Sequence, residues 1–285
     1  MTLSLSVPRK PFSLLLSPLP LSSSITVAAI LLLLSALLCA SFSSAATFSN
    51  CDRTFNCGPI QNISYPFTGG DRPDYCGPTQ FRLTCRDNAY TEVTINSLTY
   101  RVLQINQTQT TLVLARPDLW NNTCPEKFVN ATLDSPVFSY GIDNLVLNLF
   151  YGCSWILHFT PYNRFSCTVR GVNYTEGFYL VGPVPDDPIL QNWTTCHVSV
   201  AVPVTDVAAR NLTANRTTVG EALMKGFNVN YTDPYASECS KCILFGRQCA
   251  FDPDLGKPIC ICGIQRCPIP SVRGTGNCSF KCFLM

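Results

Sequence analysis

Cysteine constrains this chain more than any other residue. Of 17 cysteines, Cys39 falls in an apolar N-terminal stretch, which leaves 16. These are Cys51, Cys57, Cys76, Cys85, Cys124, Cys153, Cys167, Cys196, Cys239, Cys242, Cys249, Cys260, Cys262, Cys267, Cys278 and Cys282. An even set at this density reads as a disulfide framework, which persists in an oxidising compartment. Each bridge in a small module contributes about 2–4 kcal/mol, not additively, so reduction is expected to unfold parts of the protein. The Cys239-x2-Cys242 and Cys260-x-Cys262 pairs would suit zinc in a cytosolic chain, but export favours disulfides.

The N-terminus agrees with export. Residues 1–24 hold Arg9 and Lys10 and no acid, Ile25 to Ala40 is a nearly unbroken apolar run, and Ser44-Ala45-Ala46 supplies small residues. That order predicts a signal peptide over 1–46, cleaved after Ala46. The competing reading is an uncleaved membrane anchor, yet the 16-residue run is about four short of the roughly 20 needed to cross hydrocarbon. Once the leader is removed, no membrane span is expected.

Asparagine points the same way. Ten N-x-S/T acceptors follow the leader: Asn62, Asn106, Asn121, Asn130, Asn173, Asn192, Asn211, Asn215, Asn230 and Asn277. Chance would place roughly three there, so a surface dressed in glycan is expected. Cys278 occupies the middle of the last acceptor, where an early disulfide would block transfer. Glycan would also supply solubility, since charged residues are only 13% of the chain, against roughly 25% in an ordinary soluble domain. Without Arg9 and Lys10, the 20 basic and 18 acidic groups become 18 of each. A neutral chain carries no nucleic-acid footprint. It also offers no global attraction for an acidic polysaccharide.

Strand signals dominate. Tyr90 to Ile95, Tyr100 to Ile105, Thr110 to Leu114, Leu145 to Tyr151 and Phe178 to Val181 are apolar or alternating runs, and Val198, Val200 and Val202 alternate with Ser199 and Ala201. One helix is predicted, from the capping box Thr218-Val219-Gly220-Glu221 to Gly226. The expected fold is β-rich and disulfide-stapled, with two extracellular modules and one short helix near the cysteine-rich C-terminal end. The modules are expected at 47–118 and 119–265, followed by a cysteine-containing tail at 266–285.

The first module carries a specific motif series: Cys57-Gly58, Tyr65-Pro66-Phe67, Cys76-Gly77 and Phe81-Arg82-Leu83-Thr84-Cys85. It resembles the galacturonan-binding module of plant wall-associated receptor kinases. Leu149-Phe150-Tyr151-Gly152-Cys153, Val202-Pro203-Val204, Gly226-Phe227, Cys239-x2-Cys242, Cys249 and Cys260-x-Cys262 resemble the companion cysteine-rich module, especially that of leaf-rust-resistance-type receptor-like kinases. Ile243-Leu244-Phe245-Gly246-Arg247 departs from that family's usual loop. This stretch holds none of the glycine-rich or H-R-D kinase motifs, and a chain ending at Met285 is expected to lack the membrane helix and kinase.

The resemblance implies a secreted, cell-wall protein that binds pectic galacturonan or oligogalacturonides without catalysis. The alternative is an ectodomain that pairs with another receptor or a secreted peptide. A uronate chain wants guanidinium forks for its carboxylates and aromatic faces for its rings. Candidate contacts are Tyr65, Phe67, Arg72, Tyr75, Arg82, Arg86 and Arg101, with solvated arginines and core aromatics as the plainer reading. Residues 47–134 hold seven basic and eight acidic groups, so any positive patch must be assembled by folding. Calcium bridging through Asp71, Asp74 or Asp87 is a further option, although no run resembles a calcium loop. No cofactor, metal centre or catalytic residue is expected. The two histidines, His158 and His197, stand beside no nucleophile motif.

Overall fold

Short apolar runs separated by turn residues favour strands, and strands are the main regular structure of this fold. The structure is a computed structural model that describes residues 50–153, 163–172, 175–184, 196–252 and 254–270. The expected leader, His158, Asn173, Asn192, Asn277, Cys278 and Cys282 lie outside the described residues. In chain order the first strands are β1 (Phe55–Cys57), β2 (Ile60–Ile63), β3 (Leu83–Arg86), β4 (Tyr90–Ile95), β5 (Leu98–Asn106) and β6 (Thr111–Ala115). Then come β7 (Phe138–Tyr140), β8 (Asn144–Tyr151), β9 (Arg164–Ser166), β10 (Glu176–Val181) and β11 (Val198–Thr205). Helices α1 (Asp206–Thr213) and α2 (Val219–Met224) precede β12 (Phe227–Tyr231). The last elements are α3 (Ala236–Leu244), β13 (Gln248–Asp252), β14 (Lys257–Cys262) and β15 (Gln265–Cys267).

The largest sheet has the order β3-β4-β5-β6-β12-β7, antiparallel throughout. Its β4–β5 hairpin turns through Asn96 and Ser97, at φ 44° and 70°. A two-residue loop with both residues left-handed matches the twist of the flanking strands. Val93, Tyr100, Val102, Leu112 and Leu114 fill the inner face. Strand β12 enters this sheet from far along the chain and adds Phe227, Val229 and Tyr231 to the same core. Its Tyr231 ring meets Phe67 at 5.1 Å and Phe81 at 5.6 Å, both edge-on. Such pairs contribute about 0.5–1.5 kcal/mol each beyond area burial, so one core joins the stretches on either side of residue 118.

A second sheet runs β11-β8-β10-β9. Leu147, Leu149 and Tyr151 of β8 and Val200, Val202 and Val204 of β11 bury one face, which packs with Ala208, Leu212, Ala222 and Leu223 of α1 and α2. The outer edge of β11 is covered: Ala201 N–H donates to Asn130 Oδ1 at 2.9 Å, and Ala131 N–H donates to the Ala201 carbonyl at 3.0 Å.

Helix α2 has the expected capping box, with Glu221 N–H on Thr218 Oγ1 at 3.2 Å and Thr218 N–H on Glu221 Oε2 at 2.8 Å. The chain leaves through Gly226 at φ 68°, where a Cβ would stand 2.3 Å from the Leu114 carbonyl oxygen. Two helices join the one expected. Thr205 ends β11 and caps α1 through Ala208 N–H, so the hand-over takes a single residue and leaves no loop to mark it. Helix α3 owes its place to cysteines. The i, i+3 spacing puts Cys239 and Cys242 on one helical face, where both are buried.

Seven disulfides join the 14 described cysteines of the framework: 51–76, 57–85, 124–167, 153–196, 239–249, 242–260 and 262–267. The Cys-x2-Cys pair therefore reaches two strands, β13 and β14, rather than closing on itself. No described helix is long and apolar enough to cross a membrane.

Candidate functional site

Folding sorts the seven candidate contacts into different roles. Phe67 is fully buried, between Phe81 and Tyr231. Arg72 is 2% exposed. Its Nε donates to the Phe67 carbonyl at 2.9 Å, Nη1 to the Arg53 carbonyl at 2.9 Å and to that of Cys51, and Nη2 to the Cys76 carbonyl at 3.0 Å. Burial lowers the guanidinium pKa to about 10, so it stays charged at neutral pH. Arg72 thus ties together both ends of the 51–76 bridge, and its donors face backbone. Phe67 and Arg72 belong to the interior, contrary to the expectation that they meet ligand.

Tyr65 and Tyr75 are half-buried. Tyr65 packs against the Cys239, Cys242, Cys249 and Cys260 cluster, and Tyr75 against Cys51, Cys76 and residues of β13 and β14. Burial pushes the Tyr65 hydroxyl far above its ordinary pKa. The Tyr65–Pro66 peptide between this packing and the Phe67 core is cis. Gly77 passes so close to Pro66 that a Cβ would lie 2.1 Å from its carbonyl oxygen, which accounts for the glycine of that Cys-Gly pair.

The other three arginines come to one surface. Alternation along β3 sets Thr84 and Arg86 on the side opposite buried Leu83, and exposed Arg82 immediately precedes the strand. Register then places Thr84 beside Glu92 on β4 and Glu92 beside Arg101 on β5. Arg82 Nε lies 3.2 Å from Asp74 Oδ1, and Arg86 Nε lies 2.7 Å from Glu92 Oε2. The Glu92 hydrogen bond raises the Arg86 pKa. Arg82 and Asp74 also line an open groove of about 470 Å³ with Gly69, Gly70 and Thr84.

Arg101 is held by rings instead. Its guanidinium carbon lies 4.4 Å from the Tyr90 ring centre and 4.0 Å from that of Trp120. Attraction of a cation to such faces ranges from about 0.5–1 kcal/mol when exposed to about 2 or more when desolvated. Among the described residues none forms an ion pair with Arg101; its cross-strand neighbour Glu92 engages Arg86 instead.

Trp120 follows a 3-10 turn, Pro117–Leu119, whose Leu119 is buried in the second core. Beyond it opens a cavity of about 500 Å³ lined in part by Trp120, Arg116, Asp118, Asn122 and Lys127. Arg116 is already engaged: Nε and Nη2 donate to Asp118 at 2.7 and 2.6 Å, and Nη1 donates to the Val129 carbonyl at 2.6 Å. Lys127 leaves a cationic group at the wall. Trp120 is not among the expected contacts, because it lies just past the module boundary expected at 118. The pattern Arg116-Pro117-x2-Trp120, with a proline-started turn presenting an aromatic, was the available signal.

Among the described residues, no group of three or more His, Cys, Asp and Glu side chains could hold a metal ion. Of the ten glycan acceptors, Asn62, Asn121, Asn130, Asn215 and Asn230 are exposed, and Asn106 and Asn211 are partly so.

Fold and surface together define a disulfide-stapled, β-rich protein. Residues 51–116 match the family model described as wall-associated receptor kinase galacturonan-binding, and residues 167–265 match wall-associated receptor kinase C-terminal. The chain is 30% identical to the Arabidopsis thaliana leaf rust 10 disease-resistance locus receptor-like protein kinase-like 1.4, over 72% of its own length and 28% of the relative's. It is 31% identical to the like 1.3 protein of the same plant, over 74% of this chain and 28% of that one. The chain therefore belongs with the extracellular regions of the wall-associated and leaf-rust-type receptor-like kinases. It spans under a third of the length of these curated relatives. No solved structure matches it significantly.

Proposed function

We propose that this ectodomain binds pectic galacturonan in the cell wall, and does so without catalysis of its own. The ligand would lie on the outer face of β3, β4 and β5, from Arg82 through Arg86 and Arg101 to Trp120. The observation that carries this reading is Arg101 between the rings of Tyr90 and Trp120. It sets a guanidinium fork for a carboxylate beside aromatic surface for a sugar ring. Arg82 and Arg86 extend the same face over roughly 13 Å, four residues of a strand. The galacturonan-binding family matched by residues 51–116 supports the ligand class. Basic and acidic groups balance beyond residue 46, so attraction of a uronate has to be local, and Arg101, held by rings rather than by a carboxylate, would supply it.

The test is retention of the purified, glycosylated protein on immobilised oligogalacturonide at low salt, with and without calcium. Retention that added oligogalacturonide competes away supports the reading. No retention in either buffer removes it. Retention only with calcium would assign bridging to carboxylates such as Asp74.

A second reading is pairing with another receptor ectodomain or a secreted peptide. Ile243, Leu244 and Phe245 at the end of α3 favour it, being 59%, 79% and 54% exposed. Pull-down from wall extract after pectinase treatment separates the two, because a pectin binder then loses its partners.

A further inference from the structure

Strand register locates glycan acceptors on the same sheet as the arginines. Asn106 on β5 and Asn230 on β12 both pair with Thr111 on β6. Two acceptors thus share one cross-strand row, roughly 10 Å apart over two strand spacings. They stand at the far end of these strands from Arg101.

Asn121 is different. It is exposed, at φ 54°, and its neighbours on both sides, Trp120 and Asn122, line the cavity. The segment is pinned beside that cavity. Asn122 Nδ2 donates to the Cys124 carbonyl at 2.8 Å, Asn122 Oδ1 accepts from Cys124 N–H at 2.9 Å, and Cys124 is bridged to Cys167. Asn121-Asn122-Thr123 is an N-x-T acceptor. A glycan there is bulky and is rooted between two residues that line the cavity.

We propose that the Asn121 glycan regulates the Trp120 site by controlling which length of acidic sugar chain can lie across it. With the glycan attached, the mouth admits a short oligomer or a chain end. Without it, the interior of a long chain can pass from the arginine face over Trp120 and along the cavity. The inference rests on the uronate-binding reading of this face. An asparagine at positive φ also has a purely conformational explanation, since Asn enters the left-handed region more easily than most residues. Thr123 has no part in that explanation, so it offers a clean way to remove the glycan.

The experiment uses the full chain secreted from a eukaryotic host, as wild type, Thr123→Ala and Asn121→Gly, the glycine suiting the positive φ and adding no charge. Mass spectrometry reads Asn121 occupancy, and binding is measured to a long oligogalacturonide and to trigalacturonate. Occupied Asn121 in the wild type is expected. Both variants should then bind the long oligomer more tightly by about fivefold or more, with trigalacturonate unchanged. A bare Asn121 in the secreted wild type overturns the inference. So do equal affinities for the long oligomer in all three proteins, which would leave the uronate reading intact. If no protein binds either sugar while all three melt alike, the uronate reading has failed and takes this inference with it.

Discussion

The guanidinium carbon of Arg101 stands 4.0 Å from the centre of the Trp120 ring, although 19 positions separate them in the chain. Each holds the other in place. Trp120→Ala should therefore weaken oligogalacturonide binding roughly tenfold, about 1.4 kcal/mol. It should leave thermal stability nearly unchanged, because the ring is only partly buried. Arg101→Lys keeps the charge but loses the planar fork, and should fall between wild type and Trp120→Ala. Calorimetric titration of the three proteins checks the order.

Arg72 makes the opposite prediction. Arg72→Met leaves the carbonyls of Cys51, Arg53, Phe67 and Cys76 without their buried donor. An unsatisfied buried polar group costs about 1–3 kcal/mol, so a total loss above about 3 kcal/mol is expected. Denaturant unfolding measures it. Whatever folded protein remains should bind sugar as wild type does; a selective loss of binding with stability intact would return Arg72 to the ligand contacts.

Asp233 gives a pH signature. Burial raises its carboxyl pKa above the ordinary 3.8, and the charge of Glu238 adds to the shift. An acid whose folded pKa is raised destabilises the fold when ionised. That penalty is complete at neutral pH, shrinks as pH falls through the folded value, and is gone below the unfolded one. Asp233→Asn should therefore melt higher than wild type at pH 7, with the two curves converging near pH 3–4, about the unfolded carboxylate value. Melting temperatures across that range test the sign.

The C-terminal cysteines separate disulfide from metal. Non-reducing peptide mapping should return 239–249 and 242–260, not 239–242. A chelator should leave the melt unchanged. Loss of the 239–249 bridge by paired serine substitution should cost about 2–4 kcal/mol. A melt lowered by chelator alone would restore the zinc reading.

Much of the fold was legible in the sequence, and the exceptions have physical reasons. Alternation at Tyr90–Ile95 and at Val198–Val202 marks strands because one face of each is buried. The capping box at Thr218 and Glu221 is a local interaction and can be read locally. Helix α1 was hidden because Thr205 ends a strand and caps a helix at once. Helix α3 carries little apolar periodicity of its own, because its buried face is made by Cys239 and Cys242. The candidate site was less legible. Composition offers Arg72 and Arg101 on equal terms, and only the fold shows that carbonyls surround one and rings flank the other. Trp120 could not be joined to Arg101 by spacing, since their meeting depends on a hairpin and a 3-10 turn that pack against different cores.

Strand β12 has a consequence for how such a chain can be inherited. It lies between β6 and β7 and supplies Phe227, Val229 and Tyr231 to a core founded by Phe67 and Phe81. A gene cut near codon 118 would encode a first half with β6 as a bare edge and two phenylalanines lacking their neighbour. A first half moved by recombination without the second would therefore carry an open strand edge and an incomplete core.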